Sequence, residues 1–177
     1  MAATTLVSVD EYLRSDYEPD MDYVDGVLEE RNVGELDHSA LQGELVTWIK
    51  NHGKGLGINA FPEQRTRITG TKFRVPDVII THGKRKRGDR IITQAPLAVI
   101  EILSPEDRMT RMQHRIDDLL SMGSPSVFLI DPETRLAWEH TQGRSRKIDD
   151  GILRIAEPAF EIPLPEIFAL IDEGIED

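Results

Sequence analysis

Two periods of apolar and polar positions divide the chain. In "DHSALQGELVTWIKNHG", Leu41, Leu45, Trp48 and Ile49 recur at helical spacing. They predict an amphipathic helix with Asp37 or His38 near its start and Gly53 at its C-terminal cap. "GINAFPEQRTRI", "FRVPDVIIT" and "PLAVIEIL" then read as three strands, the last two being short apolar runs bounded by turn signals, as interior strands are. A helix is expected next, capped by Ser104, with Pro105 at its first position and Glu106 and Asp107 against the positive end of its dipole. Its buried stripe is Met109, Met112, Ile116 and Leu119, and it stops near Gly123. "SVFLIDP" is a further buried strand, brought back parallel to "PLAVIEIL" by that helix through a right-handed crossover.

The flanks follow the same rules. "SVDEYLRSD" carries a capping box, Ser8 and Glu11, for a short helix. "MDYVDGVLEER" reads as a hairpin turning at Asp25-Gly26. "RLAWEHT", "SRKID" and "ILRIAE" suggest an antiparallel meander, and "LPEIFALIDEG" a final amphipathic helix with Pro165 in its first turn. The central block is therefore helix, three strands, helix and strand.

Composition narrows the class. A chain of 177 residues, 39% hydrophobic and 30% charged, is expected to fold as one soluble α/β domain over residues 1–177, with its core at about 37–132. It has no cysteine, which excludes disulfides and thiolate zinc sites and fits a cytoplasmic location. No apolar run approaches the roughly 20 residues that span a bilayer, and the first residues lack a basic leader and an apolar h-region. The net charge of −11 argues against nucleic acid, but from Arg65 to Arg90 nine Lys/Arg face only Asp77 and Asp89. Lys84, Arg85, Lys86, Arg87 and Arg90 form either a patch facing phosphates or a solvated loop.

Two carboxylates stand where apolar residues are expected. Glu101 interrupts "PLAVIEIL" and Asp77 follows Pro76 in "FRVPDVIIT". A buried carboxylate requires a cation, a set of donors or protonation. On neighbouring strands the pair would face one cleft and repel, unless a cation sits between them. A hard divalent ion takes such oxygens, and the backbone carbonyl of Ile102 adds another. The alternative is that each acid caps a turn or pairs with an arginine. Glu44 and Glu63 are further acids on adjacent elements. His52, His82, His114 and His140 show no ligand spacing, and Trp48 and Trp138 read as core residues.

"RVPDVII", then "VIEILSPEDR", a helix and "MGSPSVFLIDP" resemble the PD-(D/E)XK superfamily of restriction-endonuclease-like nucleases, and more closely the Uma-two family of endonucleases. That family's DG hairpin, His-Ser before a helix, PDV, acidic E-V/I-L-S-P run and terminal D-P have counterparts in Asp25-Gly26, His38-Ser39, Pro76-Asp77-Val78, Glu101 to Pro105 and Gly123 to Pro132. The resemblance runs from about residue 8 to 170. It implies a mixed sheet with an αβββαβ core and attack on DNA phosphodiesters with Mg²⁺ or Mn²⁺. Asp77 and Glu101 would be ligands and His38 would lie near the metal water or a phosphate. Since restriction-type nucleases often pair, a homodimer using the C-terminal meander is expected as well.

One departure matters. The superfamily places a lysine two residues after the glutamate, where this chain has Leu103. The matching cation on the following helix is Arg115, on a stripe with Arg108 and Arg111 one step round from the buried face. Arginine stays protonated and cannot take a proton from water; it can hold Glu101 or stabilise transition-state charge. Two functions follow: a metal-dependent DNA endonuclease, or a degenerate nuclease fold that binds nucleic acid or protein.

Overall fold

The computed structural model describes residues 6–31 and 35–173. Met1–Thr5 and Gly174, on which readings of the leader and the last helix fell, lie outside them. Four helices, α1 (Val9–Arg14), α2 (Leu36–Gly53), α3 (Met109–Ser121) and α4 (Leu164–Asp172), surround twelve strands. In chain order these are β1 (Met21–Val24), β2 (Val27–Glu30), β3 (Ile58–Pro62), β4 (Thr66–Arg67), β5 (Lys72–Arg74), β6 (Val78–His82), β7 (Ala98–Ile102), β8 (Val127–Asp131), β9 (Leu136–Thr141), β10 (Arg144–Lys147), β11 (Ile152–Ile155) and β12 (Phe160–Pro163).

A six-stranded mixed sheet runs in the order β10-β9-β8-β7-β6-β3, with only the β7–β8 pair parallel. The helix, three strands, helix and strand of the expected core are α2, β3, β6, β7, α3 and β8. Side chains alternate across this sheet. Val78, Ile80, Ala98, Ile100, Ile102, Phe128 and Ile130 face α2, α4 and the β11–β12 hairpin. Ile79, Val99, Val127 and Leu129 face Met112, Ile116, Leu119 and Leu120 of α3. Each buried aliphatic contributes about 1.5–3 kcal/mol relative to exposure. A second sheet, β2-β1-β5-β4, packs Tyr23 and Phe73 on Tyr12 of α1, with the Tyr12 and Tyr23 rings 5.0 Å apart.

Local chemistry sets the ends. Ser8 Oγ accepts the Glu11 N–H, as its capping box requires. Asp25 (φ 49°) and Gly26 (φ 94°) make the tight turn of the β1–β2 hairpin.

Several expectations need correction. "GINAFPEQRTRI" is not one strand: β3 joins the large sheet and β4 the small one. "FRVPDVIIT" likewise breaks into β5 and β6, because Pro76 has no N–H for a ladder. Asp77 thus sits in the link between the sheets rather than within a strand. The helix after Ser104 starts four residues past Pro105, since the Asp107 carboxylate accepts the Ser104 N–H (2.7 Å) and its own N–H donates to the Ser104 carbonyl (2.9 Å), closing a turn first. Met109, at the start of α3, is exposed instead of joining the buried stripe. The C-terminal meander divides. β9 and β10 extend the large sheet, while β11 pairs with β12, a strand the sequence reading missed. Leu153 and Ile162 of that hairpin are fully buried within the chain, so its apolar face is spent internally.

Gly53 is not a left-handed cap; it ends α2 in right-handed geometry, and the left-handed residue is Gly57 after one 3-10 turn. Gly53 is there for space, since a Cβ would lie 2.8 Å from Ile58 Cβ, whereas one on Gly43 meets nothing within 4 Å. The same substitution in one helix should therefore have opposite signs. Gly53→Ala is expected to cost about 1–3 kcal/mol through overpacking, and Gly43→Ala to add about 0.5–1 kcal/mol. Urea denaturation of the two variants checks both.

Candidate active site

Antiparallel pairing of Val78 with Ile100 places the next residues outward, Asp77 and Glu101, across from one another. By alternation both lie on the α3 side of the sheet, with Ile79 and Val99. The Asp77 carboxylate stands in for a ladder acceptor, its Oδ2 taking the Ile102 N–H at 2.7 Å. The N–H and carbonyl of one strand residue point the same way, so the Ile102 carbonyl is aimed toward Asp77 as well. The backbone of Asp77 is fixed from the other side: its carbonyl accepts from Gln42 Nε2 (2.9 Å) and from the Glu63 N–H (3.2 Å).

Each carboxylate has a guanidinium. Arg31 donates to Asp77 Oδ1, and also to Glu63 at 3.2 Å. Arg115 donates to both oxygens of Glu101, at 2.9 and 3.1 Å, and to the Val75 carbonyl at 3.0 Å. Its other arm reaches Asp22, which is wholly buried. Asp22 also accepts the Val75 N–H (2.7 Å) and Arg74 (3.0 Å), and Arg74 continues to Glu29 and Asp118. His38, buried in the first turn of α2, places Nε2 3.4 Å from Asp77 Oδ2.

These contacts split the acids. Burial pushes Asp77 up, but the His38 hydrogen bond and the charge of Arg31 outweigh it and hold the group down at about 2. Burial dominates at Glu101; Arg115 opposes it, the charge of Asp77 adds to it, and the carboxyl is held up to about 8. Burial pulls His38 down, yet the hydrogen bond and charge of Asp77 leave it raised. The Asp77 carboxylate is thus held in its ionised form, while burial and the Asp77 charge work against ionising Glu101, the pattern of a site short of one positive charge.

Asp77, Glu101, Ile102, His38 and Arg115 all line one cavity of about 30 Å³, room for a water or a single ion. Two carboxylates and an adjacent carbonyl are the hard oxygen donors a Mg²⁺- or Mn²⁺-sized ion takes, with waters completing the shell. The donor chemistry fits, although among the described residues no three His, Asp or Glu side chains form a ready ligand cluster. The Arg31 guanidinium would share that space.

Other candidates lie elsewhere. Lys84, Arg85, Lys86 and Arg87 are exposed in the loop that joins the far ends of β6 and β7, about 17 Å of strand from the carboxylates. Arg90 folds back, its carbonyl accepting from Gln64 at 3.0 Å. Glu44 does not line the cavity, and Glu63 reaches it only through Arg31. His52 stacks on Trp48, whose ring also packs near Phe160, and the Nε2 of His140 is buried without a partner. Asp22, Arg31 and Arg74 were missed. The one signal was Asp22 itself, a carboxylate beside the buried Tyr23 in a four-residue strand.

No curated protein gives a significant match. A crystal structure of a putative nuclease of the DUF820 family from Anabaena variabilis superposes with a TM-score of 0.77 at 26% identity, over 92% of this chain and 98% of that one. The DrdV–DNA complex matches at a TM-score of 0.40 and 15% identity, over 76% of this chain and 10% of that one, and lends no support. Among the described residues no helix is long and apolar enough to cross a membrane. The Uma2 family model, described as "Putative restriction endonuclease", matches residues 9–164, and the chain belongs to that family.

Proposed function

We propose that the protein is a metal-dependent DNA endonuclease in which Asp77, Glu101 and the Ile102 carbonyl hold Mg²⁺ or Mn²⁺. The observation that carries this reading is the placement of Asp77 and Glu101 across from each other on one face of β6–β7, at a cavity the size of an ion. A divalent ion bound there supplies Lewis-acid chemistry to a phosphodiester and to the water that attacks it.

The residues divide the remaining work. Arg115, held by Asp22, Glu101 and the Val75 carbonyl, fixes the Glu101 carboxylate and takes no proton. His38 orients Asp77 and, when charged, adds a cation facing the phosphate. Arg31 balances Asp77 until an ion takes that role. Lys84 to Arg87 and Arg90 contact phosphates away from the cut. The pairing of both acids with guanidinium groups favours a second reading, a degenerate fold that binds nucleic acid or protein without cutting, and calorimetry separates the two.

Wild-type protein is expected to nick supercoiled plasmid with Mn²⁺, and Asp77→Ala to lose roughly 100-fold or more of that rate; equal cutting by the variant sinks the assignment. Arg31→Ala removes a like charge from the ion's place, so Mn²⁺ should bind about tenfold tighter, roughly 1.4 kcal/mol, in titration calorimetry. Absence of heat from both proteins selects the binding-module reading.

Without metal, pH has a signed effect. Between 4.5 and about 8 the folded protein keeps a Glu101 proton that the unfolded chain has lost, so stability falls as pH rises through that window. His38, raised by Asp77, adds a loss of the same sign above 6.5. Asp77 acts only in acid, where its stabilisation is lost as pH falls from 3.8 toward about 2. In EDTA the urea midpoint should decline from pH 5.5 to 8, and Glu101→Gln should flatten that decline.

A further inference from the structure

The carboxylate cavity, at about 30 Å³, accepts an ion or a water but not a phosphodiester. The strand being cut must therefore lie in space that adjoins it. A larger cleft of about 650 Å³ opens between β2 and the first two turns of α3, and Arg111 lines both. Arg115 and Arg111, four residues apart, are neighbours along one side of α3, and Arg108 is the extended residue that leads into its first turn. Their burial is graded: Arg115 is buried against Glu101, Arg111 is half-buried, and Arg108 is exposed. The ridge of guanidinium groups thus begins at the site and ends in solvent.

The charges along this cleft are not cancelled. Glu29, the acid on the β2 side, is taken by Arg74 at 2.6 Å. Arg111 donates to the Glu30 carbonyl, a neutral acceptor that leaves its charge intact. Arg108 has no ion-pair partner among the described residues, and Glu106 is the acid left in the lining. The Lys84–Arg87 loop, although more basic, leaves from the opposite end of β6.

We infer that this cleft holds the sugar-phosphate backbone of the DNA strand being cut, with Arg111 and Arg108 on the phosphates next to the scissile one. The inference rests on the nuclease reading above. Fluorescence anisotropy of a short labelled DNA duplex with the full chain in EDTA, across a range of salt, tests it. Arg108→Ala/Arg111→Ala is expected to weaken binding about tenfold or more and to lower the slope of log affinity against log salt by about 1.8, two contacts' worth. Arg108→Lys/Arg111→Lys should restore the slope. Wild-type affinity and slope in the double alanine variant, with the loss appearing instead when Lys84, Arg85, Lys86 and Arg87 are changed to alanine, would overturn the inference. So would failure of the lysine pair to restore the slope, which would trace the loss to folding. Absence of duplex binding by the wild type removes the nuclease reading itself.

Discussion

Burying Glu101 is the constraint from which the rest of the site follows. A carboxylate at 1% exposure needs a cation, and Arg115 is that cation. A buried guanidinium brings five donors that need acceptors of their own. Asp22 and the Val75 carbonyl take them, and Asp22 in turn engages the Val75 N–H and Arg74. A polar chain therefore crosses from the six-stranded sheet to the four-stranded one. It pins the Val75-Pro76-Asp77 link, where strand pairing is interrupted. Removing one partner of such a network costs about 3–5 kcal/mol, while replacing the whole by apolar residues is often neutral or stabilising. The network therefore makes more sense as a way of holding two carboxylates in register than as a source of stability.

The two arginines at the site differ in what they can give up. Arg115 is held by Asp22, Glu101 and the Val75 carbonyl, so moving it would strand Asp22 and Glu101 together. Arg31, among the described residues, holds Asp77 and the half-exposed Glu63 and no third acid. Asp77 would not be bare without it, because the Ile102 N–H and His38 remain. The absence of a lysine after Glu101 has a matching consequence. Leu103, two residues on, packs against the α3-side core, so the strand continues as an apolar element where a lysine would have ended. The positive charge comes instead from a helix, in a form that fixes geometry and exchanges no proton.

The core was legible because its signals were local and redundant. Short apolar runs bounded by turn signals gave β6, β7 and β8, helical spacing gave α2 and α3, and Asp25-Gly26 gave the first hairpin. Asp77 and Glu101 stood out because an acid in an apolar run violates the pattern around it. What escaped was set by tertiary contact. The Asp107 turn that delays α3 depends on a side chain choosing the Ser104 N–H over a helix cap. The pairing of β11 with β12 depends on a partner strand too short to announce itself. Asp22 and Arg31 are ordinary surface-type residues in sequence, and only the fold brings the hairpin they sit on against Arg115 and Asp77.

On the proposed nuclease reading, charge placement decides how a chain of net −11 would address a polyanion. At physiological salt an exposed charge is felt over about 8 Å, so a phosphate responds to its immediate lining and not to acids across the molecule. Cations stand at both ends of the β6–β7 pair, the loop at one end and the α3 ridge at the other. Phosphates on one strand of a duplex advance about 3.4 Å along the axis per step. The loop, about one five-residue strand or 17 Å from the carboxylates, would on that reading meet phosphates roughly five steps from the cut, and the ridge the adjacent ones. On that reading the ridge would fix which bond lies over Asp77 and Glu101, and the loop would add affinity without affecting that choice. On the nuclease reading, an acidic exterior elsewhere would discriminate, repelling nucleic acid from the faces that carry neither the ridge nor the loop.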